Sequence, residues 1–209
     1  MSTQVATLSA QSDQTTVEDT QVVEWFERYC DIDDGDRATR ARLKRTRANH
    51  DALAIPATIE FVRRLGAHHN NNSRSNRYLD AVVSLARVLS HVKTHAPGKQ
   101  LMTQAGWKKY PGEGVTLDPS DYPVLSEVRF KRLLQQDLDG EDRITAFVRL
   151  IDLLGGEVDV DSVRRDFLAN LADYTANDLK RRWALQYYLP MAAEDNQQQP
   201  SPSTLESEL

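Results

Sequence analysis

Apolar residues recur at three- and four-residue steps through seven stretches of this chain, and no convincing run alternates apolar with polar as a half-buried strand would. That spacing puts the apolar side chains on one face of a helix, and such faces must pack on one another. The expected fold class is therefore all-α, a helical bundle. With 209 residues the chain can build one sizeable core or two small ones. One core is the simpler reading, although the stretches 20–95 and 125–191 each have enough helix for a small bundle of their own.

Turn and cap signals divide the pattern. Val22, Val23, Trp25, Phe26 and Tyr29 give a first helix that stops at Asp33, Asp34 and Gly35. Pro56 suits the first turn of the next, where its missing N–H is no loss, with Ile59, Phe61, Val62 and Leu65 on the buried side. The stretch HHNNNSR, His68 to Arg74, breaks it. A longer helix then carries Tyr78, Val82, Leu85, Leu89 and Val92 as a narrow stripe, and Pro97 and Gly98 end it. Residues 98–124, with four glycines and three prolines, read as a long loop or a few short turns. Ser126 is the expected N-cap of a helix burying Phe130, Leu133 and Leu134. The next helix follows Asp139 and Gly140, carries Ile144, Phe147, Val148, Ile151 and Leu154, and is closed by Gly155 and Gly156. Two more, around 163–171 and 177–189, complete the set, with Trp183, Tyr187 and Tyr188 as core residues.

Net charge is −5, but it is unevenly placed. All 26 Lys and Arg lie between residues 28 and 182, whereas residues 1–19 and 192–209 hold seven acids and no base. Those end segments are poor in apolar residues and are expected to be flexible tails flanking a folded unit of residues 20–191. Between them 26 bases face 24 acids, so the acidic total does not exclude a polyanionic partner. Cys30 is the single cysteine, which rules out an internal disulfide and a Cys-rich metal site and fits a reducing, cytoplasmic setting. No apolar run approaches the roughly 20 residues that span a bilayer, so no membrane association is expected.

The clearest chemical signal is the segment Arg37 to Arg47, where Arg37, Arg40, Arg42, Lys44, Arg45 and Arg47 occur with no acid among them. Like charges at this density repel, and a phosphate backbone that releases counterions on contact relieves them. A basic loop neutralised by acids elsewhere in the fold is the competing account. Arg129 and Arg132, three residues apart, share a helix face beside the buried Phe130 and Leu133 and suit forked contacts to phosphate oxygens. Surface ion pairs to Glu127, Asp137 or Asp139 would occupy them equally well. Lys108 and Lys109 flanked by Trp107 and Tyr110 make a basic-aromatic loop tip, in which the Trp is expected as a core anchor. Catalytic readings are weaker. His91 and His95 have no acidic ligand at a fitting spacing, so no metal is expected. Cys30 ends an apolar face and is expected to be buried rather than nucleophilic, and no glycine-rich phosphate loop or nucleophile elbow is present. No cofactor is expected.

Three pieces in register carry a resemblance. The segment GDRATRARLKRTRANHDALAIPATIEFVRRL, the segment SEVRFKRLL followed by ITAFVRLIDLL, and the closing DLKRRWALQYY resemble the CasB family, the small subunit of the type I-E CRISPR surveillance complex Cascade. The resemblance covers roughly residues 22–190. It implies an all-helical, non-enzymatic protein working beside other Cascade subunits and a second copy of itself. It also implies a basic surface on the backbone of guide RNA and target DNA, steadying the opened strands while base pairing reads sequence. Residue by residue it carries over to Arg42, Arg129 and Arg149; local chemistry adds Arg45, Arg47 and Arg132. The chain departs from the family at residues 103–124, which look long, and at Thr58 and Ile59, where an aromatic is usual after Pro-Ala. The expected function is sequence-independent backbone binding that stabilises the R-loop. The alternative is a helical protein-interaction adaptor whose arginines pair with acidic partner surfaces.

Overall fold

A computed structural model describes residues 20–67, 73–109, 116–136, 139–169 and 175–189. Helix α1 spans residues 20–29, followed by α2 (Arg37–Arg45), α3 (Asn49–Leu53), α4 (Pro56–Arg64), α5 (Ser73–Leu89) and the two-residue strand β1 (Thr94–His95). Then come α6 (Leu101–Ala105), a 3-10 turn at Pro119–Asp121, α7 (Glu127–Gln135), α8 (Gly140–Leu153), β2 (Glu157–Val158), α9 (Val160–Leu168) and α10 (Thr175–Tyr188). The protein is thus mainly helical. The segments expected as tails lie outside the described residues, as does most of the break between His68 and Arg74.

Local signals account for most boundaries. Asp36 starts α2 because its carboxylate accepts the Ala38 and Thr39 N–H groups at 2.9 and 3.3 Å. The basic segment is therefore a helix rather than a loop. Pro56 occupies the first turn of α4. Asp139 and Asp159 cap α8 and α9 with their carboxylates. Ser126 precedes α7 as expected but makes no capping hydrogen bond through its side chain.

The long central helix departs from the narrow stripe its spacing suggests. Every residue from Ala81 to the end of α5, and Ser90 just after it, is buried, because α5 packs against α2, α3 and α4 and also against α8 and α9. A helix surrounded this way needs small or apolar residues on all sides, and Ala81, Ser84, Ala86 and Ser90 supply the small ones. One contiguous cluster runs from Val22 and Trp25 in α1 through α5 to Trp183 and Tyr187 in α10. The two sequence halves therefore share a core. Trp25 illustrates the fit: its ring lies 4.3 Å from that of Phe61, and its indole N–H donates to the Ala57 carbonyl at 2.8 Å.

Two features were not legible beforehand. β1 pairs in parallel with β2, Thr94 opposite Glu157 and His95 opposite Val158. The pair forms because Gly155 and Gly156, at φ of 76° and 86°, turn the chain back after α8, so that the Gly156 carbonyl accepts the Lys93 N–H at 2.8 Å. Likewise, the irregular stretch after Gly98 contains α6, whose Leu101, Met102 and Ala105 are buried against α10. Gly106 allows that contact, since a Cβ there would strike the backbone of Tyr187.

Candidate nucleic-acid interface

The groove between α7 and α8 is where expected site residues meet. α7 is fixed from behind: the Phe130 ring stacks on Tyr187 at 3.9 Å and 5°, the Tyr187 hydroxyl donates to the Leu125 carbonyl at 2.6 Å, and the Tyr188 hydroxyl donates to Glu127 at 3.1 Å. With Phe130 and Leu133 committed to the core, Arg129 and Arg132 are left exposed on another face. They line a groove of about 430 Å³ together with Arg149 of α8, over an apolar floor that includes Leu125, Leu133 and Leu150.

Arg149 also borders a second hollow of about 280 Å³ on its other side, where Lys44 and Thr46 come from α2 and the residue after it. The junction is held by Arg87 of α5. Its guanidinium forks onto Glu141 of α8 at 2.6 and 3.1 Å, and it also donates to the Asn49 side chain and the Thr46 carbonyl. A fork-to-fork pair on a nearly buried arginine fixes orientation as well as distance, so α8 presents Arg149 at a set place beside Lys44. Burial pushes the Lys44 ammonium below its usual value, and neighbouring Arg40 and Lys93 add to the shift while Asp152 opposes it. His91, in the same hollow, is lowered first by burial and then by Lys44. Three cationic side chains, Lys44, Arg87 and Arg149, thus line the hollow with one carboxylate, Glu141.

The basic segment divides. Arg40 is buried, and its guanidinium donates to the Ser90 and Val92 carbonyls at 3.0 Å each, closing the C-terminal end of α5. Arg42 and Arg45 lie about 60° apart on the helix wheel and are exposed, on the side of α2 away from buried Arg40 and Leu43. Arg47 is exposed just after the helix. Neither hollow includes Arg42, Arg45 or Arg47 in its lining; among that segment only Lys44 joins Arg149. Lys44 belongs to the basic run but not to the arginines expected at the site, and the available signal is its place one turn after Arg40, about 40° away on the wheel.

Among the described residues, none of Arg42, Arg45, Arg47, Arg129, Arg132 and Arg149 has a carboxylate oxygen within 4.0 Å. Glu127, a competing partner for the α7 arginines, instead holds Lys131 at 2.8 Å, and Asp139 is engaged as a cap. Asp137 lies outside the described residues. Arg42 does sit close enough to Asp36 to help hold that carboxyl below its usual value, a smaller effect than the hydrogen bonds from Thr39.

The candidate chemical groups fall elsewhere. Cys30 is fully buried, and burial pushes its thiol well up. His95 comes near Asp159 and Asp161, an acidic neighbourhood its sequence spacing did not suggest. These groups serve the start of α9: His95 Nδ1 accepts the Val160 N–H at 3.1 Å, and Asp159 accepts from Gly98, Asp161 and Ser162. The partial positive charge of a helix N-terminus also works against a cation there. Trp107 packs partly buried on the core, its ring 5.6 Å from Tyr122, and Lys109 donates to the Thr116 carbonyl.

No described helix is long and apolar enough to cross a membrane. No curated protein and no solved structure matches the chain. The family model described as CRISPR-associated protein Cse2 does match, over residues 39–188, a span that holds both arginine-bearing hollows and the helices that position them. The chain belongs to that family, known also as CasB, the small subunit of the type I-E CRISPR complex Cascade.

Proposed function

We propose that this Cascade subunit works without chemistry of its own, gripping nucleic-acid backbone to hold the guide-paired target and the displaced strand of the R-loop apart. The observation that carries the reading is the meeting of Arg129, Arg132 and Arg149 from two helices at one groove, continued past Arg149 to Lys44, with no carboxylate within 4.0 Å among the described residues. Guanidiniums held by packed helices meet phosphates with little ordering cost, and none of the contacts needs a particular base. Arg42 and Arg45 on α2 and Arg47 just after it form a second exposed set, suited to a different stretch of backbone. Buried Cys30 and the helix-capping role of His95 and Asp159 support a non-catalytic role.

A second copy of the chain and the other subunits would extend these short basic stretches into one path, and avidity would supply much of the residence time. The test is to assemble Cascade with Arg42→Glu, Arg129→Glu and Arg149→Glu together. Helix content should stay at the wild-type level and retention of target DNA should fall. Normal retention by a folded, fully incorporated triple variant would defeat the assignment.

A further inference from the structure

The arginine groove has a property that backbone binding does not use: its floor is apolar. Leu125, Leu133 and Leu150 line it beneath Arg129, Arg132 and Arg149. Phosphate and ribose would satisfy the rim and leave the floor unmatched. An acidic peptide carrying leucines would satisfy both.

The chain itself holds such a peptide. Residues 190–209, which follow the last described residue of α10, contain Glu194, Asp195, Glu206 and Glu208 and no base. Leu205 and Leu209 stand four apart around Glu206 and Glu208, a spacing that puts both leucines on one face and the acids on others if the segment turns as a helix. α10 ends against the start of α7, where Tyr187 bonds to Leu125, itself a groove residue, and Tyr188 bonds to Glu127 in the first turn. Any chain of the length from Pro190 to Leu205 can reach about 50 Å when extended and, as a random coil, averages roughly 20–24 Å end to end. Either is ample for a site that begins next to the anchor.

We propose that residues 203–209 dock in the groove, leucines on the floor and carboxylates on the arginines, so that the chain's own acidic segment competes with nucleic acid for Arg129, Arg132 and Arg149. The proposal deepens the function above by adding regulation of the same site. A tether of this length holds the segment at an effective concentration of the order of 1 mM. A contact too weak to see between separate molecules therefore still competes, and nucleic acid displaces it once neighbouring subunits add their own contacts.

Two measurements on the full chain test it. The first does not involve nucleic acid: Gln136→Cys on the groove and Ser207→Cys in the segment should form an intramolecular disulfide under mild oxidation. Cys30 does not interfere because it is fully buried. Pairing Ser207→Cys with Glu24→Cys on α1 serves as the control. The cross-link should depend on Leu205, Leu209 and the three arginines; equal cross-linking to both positions, or cross-linking unaffected by Leu205→Ser with Leu209→Ser, would overturn docking. The second measures anisotropy of a labelled single-stranded oligonucleotide. Converting Glu194, Asp195, Glu206 and Glu208 to their amides should raise affinity about three- to tenfold, and the two leucine substitutions alone should give part of that gain. If the amides act and the leucines do not, the segment repels at a distance without docking, and the proposal fails. If no form shows any salt-dependent binding of the oligonucleotide while the cross-link persists, the nucleic-acid reading fails and the docking stands.

Discussion

Replacing Arg129, Arg132 and Arg149 by Gln should change the salt dependence of nucleic-acid binding by a calculable amount. All three are exposed, line one groove and have no carboxylate within 4.0 Å among the described residues. Each is therefore free to displace a condensed counterion from a phosphate. On a single strand each such contact contributes about −0.7 to the slope of log affinity against log salt, so three contacts contribute about −2.1. Between about 50 and 200 mM salt the wild type should therefore lose about 18-fold more affinity than the variant. Anisotropy of a labelled single strand, titrated at several salt concentrations with circular dichroism as a check of folding, measures the difference. A folded variant with weaker binding but the wild-type slope would refute the reasoning, because lost affinity would then come from something other than phosphate contacts. A smaller slope change would mean that only one or two of the three reach backbone.

Other perturbations separate structural from surface arginines and probe the core. Arg40→Ala should cost about 2–4 kcal/mol by stripping two charge-assisted hydrogen bonds from the end of α5, whereas Arg42→Ala should stay within about 0.5 kcal/mol; thermal melts compare them. Gly106→Ala should destabilise by about 1–3 kcal/mol through overlap with Tyr187, measured by denaturant midpoint. Asp166 accepts hydrogen bonds from Trp183 at 2.8 Å and Arg182 at 2.6 Å, yet burial wins and raises its carboxyl above the ordinary 3.8. The native state then binds this proton more readily than the unfolded chain does, so its contribution to stability declines as pH rises from 3.8 through the raised value. Asp166→Asn should remove that part of the pH dependence, and an unchanged pH–stability profile would contradict the assignment.

The expected helices and the observed ones agree where the determinants are local. Pro56, Asp139, Gly155 and Gly156 sit at the ends their chemistry suits, and the apolar sets around Trp25, Phe61, Phe130 and Phe147 are buried. The misses have a common form. α6 was hidden among glycines and prolines, because only five residues long it has no period to show, and its stability comes from α10. The all-round burial of α5 was not visible in its stripe, since Ala and Ser fit a close contact or a surface equally well. Within the basic segment, charge alone could not separate Arg40, which closes α5, from Arg42, which faces water.

Sequence alone determined that this chain builds helices, roughly where they start and stop, which large side chains fill the interior, and which family it resembles, because caps, turns and a 3.6-residue period act within a few neighbouring residues. It could not determine which arginines share a groove. Arg129 and Arg149 lie on different helices, and their meeting is set by how those helices seat on the rest, through the Phe130 stack on Tyr187 and the Arg87 fork on Glu141. Those contacts link residues 54 or more positions apart, and such pairings carry no local signature; they exist only once the whole core has packed.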